Sequence, residues 1–432
     1  MGIALFNSTR AFKFIAAFLL LLGTVPFADA YSVLTHEEIV DMLWKDQIVP
    51  LLQHRYPGIT DDQLKEAHAY AYGGAVIQDL GYYPFGSHEF SDLVHYVRSG
   101  DFVQQLLMDS QTADEYAFAL GALAHYASDT EGHPAVNQSV AIEYPKLRSK
   151  FGSRVTYAED HAAHLKTEFS FDVVQVAKQR YVSQQYHDFI GFEVSQQLLE
   201  RSFPKVYGIQ LKDVLKHEDL AIGTYRYAIS GMIPKMTQVA VMARGDDMVK
   251  ERQDKAKKQF LYHLNRTSYE KNWGKDYHRP GAGTRFLAAL LRIVPKVGPF
   301  KALAFKNPTT KTEDLYFKSI TASVDRYQHY LVEDHYLEQP VALPNLNFDT
   351  GNKTAPGEYV LTDDTYAILL DQLARNNFTT LTPELRDNIL EFYSNLSAPI
   401  ATKKKKDKWQ ATLKNLDQLK TAQIPAIQTA AR

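Results

Sequence analysis

The chain contains no cysteine. Disulfides are therefore excluded, and a packed core must hold the fold together. Thiolate metal ligands are excluded as well, so any zinc must be held by His, Asp, Glu or backbone groups. An excess of charge is also missing: 48 basic side chains face 50 acidic ones, a net charge of −2. That balance argues against a large basic surface, and so against a stable nucleic-acid partner. Long apolar runs are absent past the first thirty residues, and no internal repeat is visible. Alternating strand-like segments are scarce.

What is present begins with a leader. Arg10 and Lys13 precede an apolar run from Phe14 to Leu22, and Ala28, Asp29 and Ala30 form a small-x-small cleavage site. The run is shorter than the ~20 residues a membrane span needs. Residues 1–30 therefore read as a signal peptide, with Tyr31 the new amino terminus and the mature protein soluble and either secreted or periplasmic. Cleavage leaves 46 basic against 49 acidic side chains, or −3. Hydrophobic residues make up 45% of the chain, ample for a core, and the length admits two or three domains.

Apolar residues recur at steps of three and four through Glu37–Leu52, Asp61–Gln78, Phe90–Met108, Ala113–Ser128 and Tyr157–Gln185, which predicts an all-α fold. Asp213–Met242 reads as a further helical stretch, broken near Pro234. Capping residues mark two starts, at Thr60 and Thr112. Glycines and Pro84 make residues 79–89 a loop that carries Asp79 and His88. The lysine-rich stretch from Lys250 to Lys258 divides a first helical domain, 31–248, from a mainly helical C-terminal region, 249–432. Within the latter, Arg285–Leu303 is apolar with two prolines, Asn345–Tyr359 reads as a loop, and Asp363–Ala374 and Thr382–Tyr393 read as short helices. Lys403–Lys408 reads as a solvated turn or tail.

The chemistry concentrates in a few spacings. His125 and Asp129 lie four apart at the end of a nearly apolar segment and so share one helix face, about 5.4 Å apart. A buried carboxylate and imidazole are costly alone, whereas a dication satisfies both. His133 follows as that helix ends. His164 and Glu168 repeat the four-residue step on a second helix, with His161 a competitor for the role of His164 and Asp172 a supporting partner. Ligands converging from facing helices are a known way to build metal sites in helical cores. His36 lies five residues past Tyr31, whose free amine, with an ordinary pKa near ~8, is open to a metal near neutral pH. The remaining histidines, His95 among them, read as core or surface residues. Tyr82, Tyr83 and Tyr126 are candidates for lining a headgroup pocket.

These pieces together resemble the zinc-dependent phospholipase C family: Tyr31 through His36, the glycine-containing segment to Asp79, Ser87 and His88, the run from His125 through Asp129 to His133, and His164 through Glu168. The pattern is closest to the branch that includes the catalytic domain of glycosylphosphatidylinositol-specific phospholipase D. The resemblance implies an all-helical hydrolase holding three zinc ions and cleaving phosphodiesters in phospholipids, with peripheral membrane contact. By position, Asp79, His88, His125 and Asp129 would hold one ion, His133, His164 and Glu168 a second, and Tyr31, His36 and bridging Asp129 a third. Asp79 would also serve as ligand or as base toward water, making Asp79 and Asp129 the catalytic carboxylates. His88 competes here with His95, since loop lengths differ. Tyrosine stands where family members often begin with tryptophan. The related three-zinc nucleases for single strands carry a longer segment after the aspartate than the Thr130, Glu131 and Gly132 found here. A nuclease, and a non-catalytic metal-stabilised envelope or binding protein, are the alternatives.

Overall fold

The computed structural model describes residues 33–177, 191–233, 305–336 and 342–424, with residues 237 and 240 besides. The leader, Tyr31, the lysine-rich stretch at 250–258 and the Arg285–Leu303 segment lie outside the described residues. Among the described residues the architecture is all-α, and a single isolated bridge, Leu346 with Lys353, is the only β feature. None of the described helices is long and apolar enough to cross a membrane.

In chain order the helices are α1 (Val33–Leu43), α2 (Val49–Arg55), α3 (Asp61–Ala75), α4 (His88–Tyr96), α5 (Ser99–Asp109), α6 (Ala113–Glu143), α7 (Pro145–Phe151), α8 (His161–Ala177), α9 (Gln196–Tyr207), α10 (Leu211–Val214), α11 (Glu218–Tyr227), α12 (Thr310–Tyr336), α13 (Val360–Arg375), α14 (Pro383–Phe392) and α15 (Lys406–Thr421). A π turn, Trp44–Ile48, joins α1 to α2, and a 3-10 turn, Ile77–Tyr82, follows α3. Thr60 closes a capping box on α3, and the Thr112 hydroxyl accepts from the Glu115 amide at the start of α6.

Helix α6 is the axis of the molecule. Its residues from Glu115 to Thr130 are buried on every side, so neighbours surround it rather than flank it. The closest is α3. A Cβ added at Gly121 would lie 2.1 Å from the Ala71 carbonyl oxygen, and one at Gly74 would lie 1.9 Å from that of Phe118. Only glycine permits this approach, and it brings the end of α3 against the residues that follow Gly121.

Three sequence expectations are corrected. First, α6 does not end near His133 but continues through Pro134 to Glu143. The proline removes only the donor that would serve the Thr130 carbonyl. Gly351, in the left-handed region at φ +71°, lies against that carbonyl, where a Cβ would come within 2.5 Å. Second, the Phe90–Met108 helix is two, α4 and α5, parted at Val97 and Arg98. Arg98 takes φ +51°, and its buried guanidinium donates to Asp101 Oδ2 and to the Val206 carbonyl, both at 2.6 Å. Third, the lysine run is exposed from Lys404 to Asp407 as expected, but it is a turn leading into a helix and not a tail. Lys405 and Lys408 meet the Asp364 carboxylate at 2.8 and 3.2 Å, and α15 starts within the run.

Residues on both sides of the lysine-rich stretch share one core. Tyr327, Leu343, Phe348, Tyr366 and Leu370 belong to the same buried cluster as Tyr72, Phe90, Phe118 and Leu120. The Tyr327 hydroxyl donates to the Leu120 carbonyl on α6 at 2.9 Å. The C-terminal region is therefore packed onto the helices that carry the site.

Candidate metal centre

One face of α6 presents His125, Asp129 and His133 at successive turns, because the helix runs on past Pro134. Around this row gather His36 from α1, Asp79 from the 3-10 turn, His95 from the last turn of α4, and His164 and Glu168 from α8. All eight side chains are buried. The Asp129 carboxylate stands among four imidazoles. Its Oδ1 lies 3.5 Å from His36 Nε2, and its Oδ2 lies 2.9, 3.6 and 3.7 Å from Nε2 of His125, His95 and His133.

The opposite ring nitrogens fix these orientations. His125 Nδ1 meets the Ala75 carbonyl at 2.9 Å, the contact that the glycine-mediated approach of α3 makes available. His95 Nδ1 donates to the Ser91 carbonyl at 2.8 Å. His36 Nδ1 lies 2.8 Å from Ser128 Oγ, whose own proton goes to the His125 carbonyl, so the ring is the donor. His133 Nδ1 donates to Asp349 Oδ1 at 2.7 Å. In each ring Nδ1 carries the proton and the lone pair of Nε2 faces inward, the arrangement that outer-shell partners impose on metal-binding histidines.

The inward atoms lack hydrogen-bond partners: Nε2 of His95, His125 and His133, both oxygens of Asp129 and Glu168, and Oδ1 of Asp79. So many buried polar atoms left unmet in one place call for an ion. Three groups have ligand atoms close enough to share one: His36, His125 and Asp129; Asp79, His95 and His125; and His133, His164 and Glu168. Ligands about 2.1 Å from a tetrahedral ion sit ~3.4 Å from one another. His95 Nε2 is 3.4 Å from Asp79 Oδ1, and His133 Nε2 is 3.7 Å from Glu168 Oε1. His164 Nε2 and Glu168 Oε1 are closer, at 2.7 Å. The donor set, nitrogen and carboxylate oxygen without sulfur, suits zinc.

The electrostatics agree. Burial would raise the Asp129 carboxyl, but the imidazoles of His125 and His133 hold it well below the usual carboxylate range. Burial would lower His133, yet Asp129 and Asp349 push it up to about 9. Burial likewise works against the charged form of His95, and Asp129 and Asp79 outweigh it, leaving the ring well above its ordinary value. His164 is pushed down to about 3 by burial and by the neighbouring His133. Glu168 and Asp79 are raised, chiefly by burial. Without metal, protons on His95 and His133 neutralise the carboxylates, so ion and proton compete for the same atoms.

Of the residues singled out from the sequence, the structure brings together His36, Asp79, His125, Asp129, His133, His164 and Glu168. Tyr31 lies outside the described residues. His88 is not brought in: it is exposed at the first turn of α4, its ring edge-on to Tyr82 at 5.3 Å, while His95 occupies the inward position two turns later. The spacing could have identified this, since seven residues are two helical turns and His95 sits among the apolar residues of α4. His161 is also exposed, its ring 4.1 Å from that of Tyr157. Asp172 does not support His164. It accepts from the Leu34 amide at 3.1 Å and the Thr35 hydroxyl at 2.8 Å, fixing the start of α1 and with it His36.

Two residues escaped the sequence reading. Asp349, from the loop before α13, accepts from His133, from the Tyr96 hydroxyl at 2.9 Å and from the Tyr359 hydroxyl. Its own carboxyl would be raised by burial, but the His133 hydrogen bond and charge hold it down to about 2. Phe348 places its ring 5.0 Å from that of His95 and 6.0 Å from that of His125, closing the cluster on that side. Nothing in a lone Asn-Phe-Asp stretch in a polar loop signals either role.

Tyr82 lies between the exposed His88 and the inner His95, and Tyr157 between His161 and His164, which makes these two rings the rim of the site. Tyr83 instead packs on Tyr225, and Tyr126 on Phe348.

Residues 35–216 match the family model described as zinc dependent phospholipase C. No curated protein and no solved structure matches the chain.

Proposed function

Since residues 35–216 match the zinc-dependent phospholipase C family of phosphoric diester hydrolases, we propose that the chain is an exported enzyme whose three-zinc cluster activates water against phospholipid phosphodiesters. The observation that carries this reading is the single Asp129 carboxylate set among four inward-facing imidazole nitrogens.

His125 offers only Nε2, because its Nδ1 is engaged by Ala75, so it serves one ion and not two. The sets that follow are Asp79, His95 and His125 with Asp129 Oδ2, and His133, His164 and Glu168. His36 and Asp129 Oδ1 remain as half of a third set. The terminal amine and carbonyl of Tyr31, freed by cleavage after Ala30, would complete it. Export and this terminal chelation rest on the sequence of residues 1–31.

Zinc, when bound, lowers the pKa of water towards ~7 and neutralises charge on phosphoryl oxygens. The chain does the rest. Asp129 would give one oxygen to the first set and the other to the third. Asp79, buried beside His95, would take the proton of the attacking water. Tyr82 and Tyr157 flank the approach for a headgroup.

Peripheral contact with the lipid surface belongs to the same reading. Phe85 is 53% exposed, and the carbonyl before it, at Pro84, accepts from Thr224 on α11. Leu220 and Tyr227, 47% and 65% exposed, lie four and three residues either side of Thr224 on that helix face. This places three apolar side chains close to the turn that bears Asp79.

The test is turnover by purified, zinc-loaded mature protein on phosphatidylcholine vesicles and on single-stranded DNA. Release of the phosphorylated headgroup and diacylglycerol is expected. Cleavage of DNA alone would replace this reading with a nuclease, and inertness toward both would favour a non-catalytic protein.

A further inference from the structure

We propose that Asp349 is a positioning residue of the metal centre, holding His133 in the orientation and tautomer its zinc requires, so that the C-terminal region is a working part of the site. This rests on the zinc reading above. It adds a residue that lies well beyond the segment shared with the family, which ends at residue 216.

Asp349 is 2% exposed, and its hydrogen bonds are directed. Oδ1 takes the His133 Nδ1 proton at 2.7 Å, and Oδ2 takes the Tyr96 hydroxyl at 2.9 Å and that of Tyr359. The backbone on either side is fastened to the helices that carry other ligands. The Asp349 carbonyl accepts from Asn137 Nδ2, one turn past His133 on α6, at 2.7 Å. The Phe348 amide donates to the carbonyl of His95 at 3.3 Å. A loop joined in this way to His133 and to His95 cannot shift without moving ligands from both halves of the cluster. An imidazole whose Nδ1 proton is held by a carboxylate is also a more basic ligand at Nε2, and such partners commonly contribute about 10–100-fold in metal affinity.

The experiment compares the full mature chain with Asp349→Asn and with Thr354→Val. The second removes only the hydroxyl that Thr354 donates to the Tyr96 carbonyl, loosening the same loop and leaving the carboxylate in place. Readouts are zinc content by elemental analysis, zinc release to a competing chelator, and the visible spectrum of the cobalt-substituted protein, with circular dichroism for helicity. Asp349→Asn should keep its helicity, lose one zinc about 10–100-fold more readily and alter the cobalt bands, while Thr354→Val matches the unsubstituted protein. Equal zinc retention by Asp349→Asn, or equal loss by Thr354→Val, would overturn the assignment. If Asp349→Asn does not fold, Tyr96→Phe with Tyr359→Phe removes the two donors that fix Oδ2, so that the carboxylate can turn away from His133. Faster zinc release is then expected, and unchanged release would overturn the proposal. An unsubstituted protein that binds no zinc would instead overturn the reading beneath it.

Discussion

Exchanging the parts of His88 and His95 is the most direct way to test the centre. His95→Ala removes a fully enclosed ring whose Nε2 lies 3.4 Å from Asp79 and 3.6 Å from Asp129. Two buried carboxylates are then left facing each other across a cavity. Removing one member of a buried charged set costs about 3–5 kcal/mol. At about 1.4 kcal/mol per decade, that is two to more than three orders of magnitude in zinc affinity or in the folded fraction. His88→Ala removes an exposed ring whose main contact is an edge on Tyr82. An aromatic pair contributes about 0.5–1.5 kcal/mol, so the effect should stay within roughly tenfold. Zinc stoichiometry by elemental analysis, chelator competition and a thermal melt of each variant measure both. The expected result is one zinc lost and a lower melting temperature for His95→Ala, with His88→Ala close to the unsubstituted protein. Zinc loss from His88→Ala with retention by His95→Ala would refute the assignment and return the ligand to the loop.

Four further outcomes are expected. Asp129→Ala should abolish turnover and lower zinc content by more than one ion, since it removes the carboxylate shared among four imidazoles; an active variant with full zinc would contradict a bridging role. Gly121→Ala should destabilise the fold by at least the ~1–3 kcal/mol of ordinary overpacking, because its methyl meets a backbone oxygen at 2.1 Å; a melting temperature unchanged within error would show that α3 can yield. Burial, partly offset by His95, pushes the Asp92 carboxyl up to about 7, above its unfolded value near ~3.9. The folded chain then binds a proton that the unfolded chain does not, and this contribution is lost as pH rises through 7, so Asp92→Asn should raise the melting temperature at pH 8 and leave it nearly unchanged at pH 4. Phe85→Asp should weaken sedimentation with phosphatidylcholine vesicles while sparing hydrolysis of a water-soluble phosphodiester; parallel loss of both would place Phe85 in the site and not at the lipid surface.

The helical class and the gathering of five candidate ligands were legible because they depend on local spacing, whereas Asp79 and His36 were reached through the family resemblance and the expected terminus. His125, Asp129 and His133 lie at steps of four, as do His164 and Glu168, and a helix turns such steps into one face whatever surrounds it. Where α6 ends was not legible. The helix runs on through Pro134, and a glycine more than two hundred residues away lies against the Thr130 carbonyl that the proline leaves without its donor. The choice between His88 and His95 turned on the length of the loop before α4, which differs from the family pattern. The signal for His95 was its place among the apolar residues of α4, two turns after His88.

Asp349 shows the sharper limit. Its role comes entirely from tertiary placement: an aspartate in a polar loop looks like a turn residue, and only the docking of that loop on α4 and α6 turns it into the acceptor for His133. The same docking carries a thermodynamic consequence. If ion and C-terminal loop both hold His133 in one orientation, each stabilises the other, and stripping zinc must weaken the packing of residues 345–359 on α6. Amide hydrogen exchange tests this without any substrate. Chelated protein should lose protection at the Phe348 amide and at the Gly351 amide, which donates to the Asn347 carbonyl at 2.8 Å, before it loses protection in the middle of α6. Loss in both places together would mean that the centre and the core form one cooperative unit, and that the loop is not separately coupled to the metal.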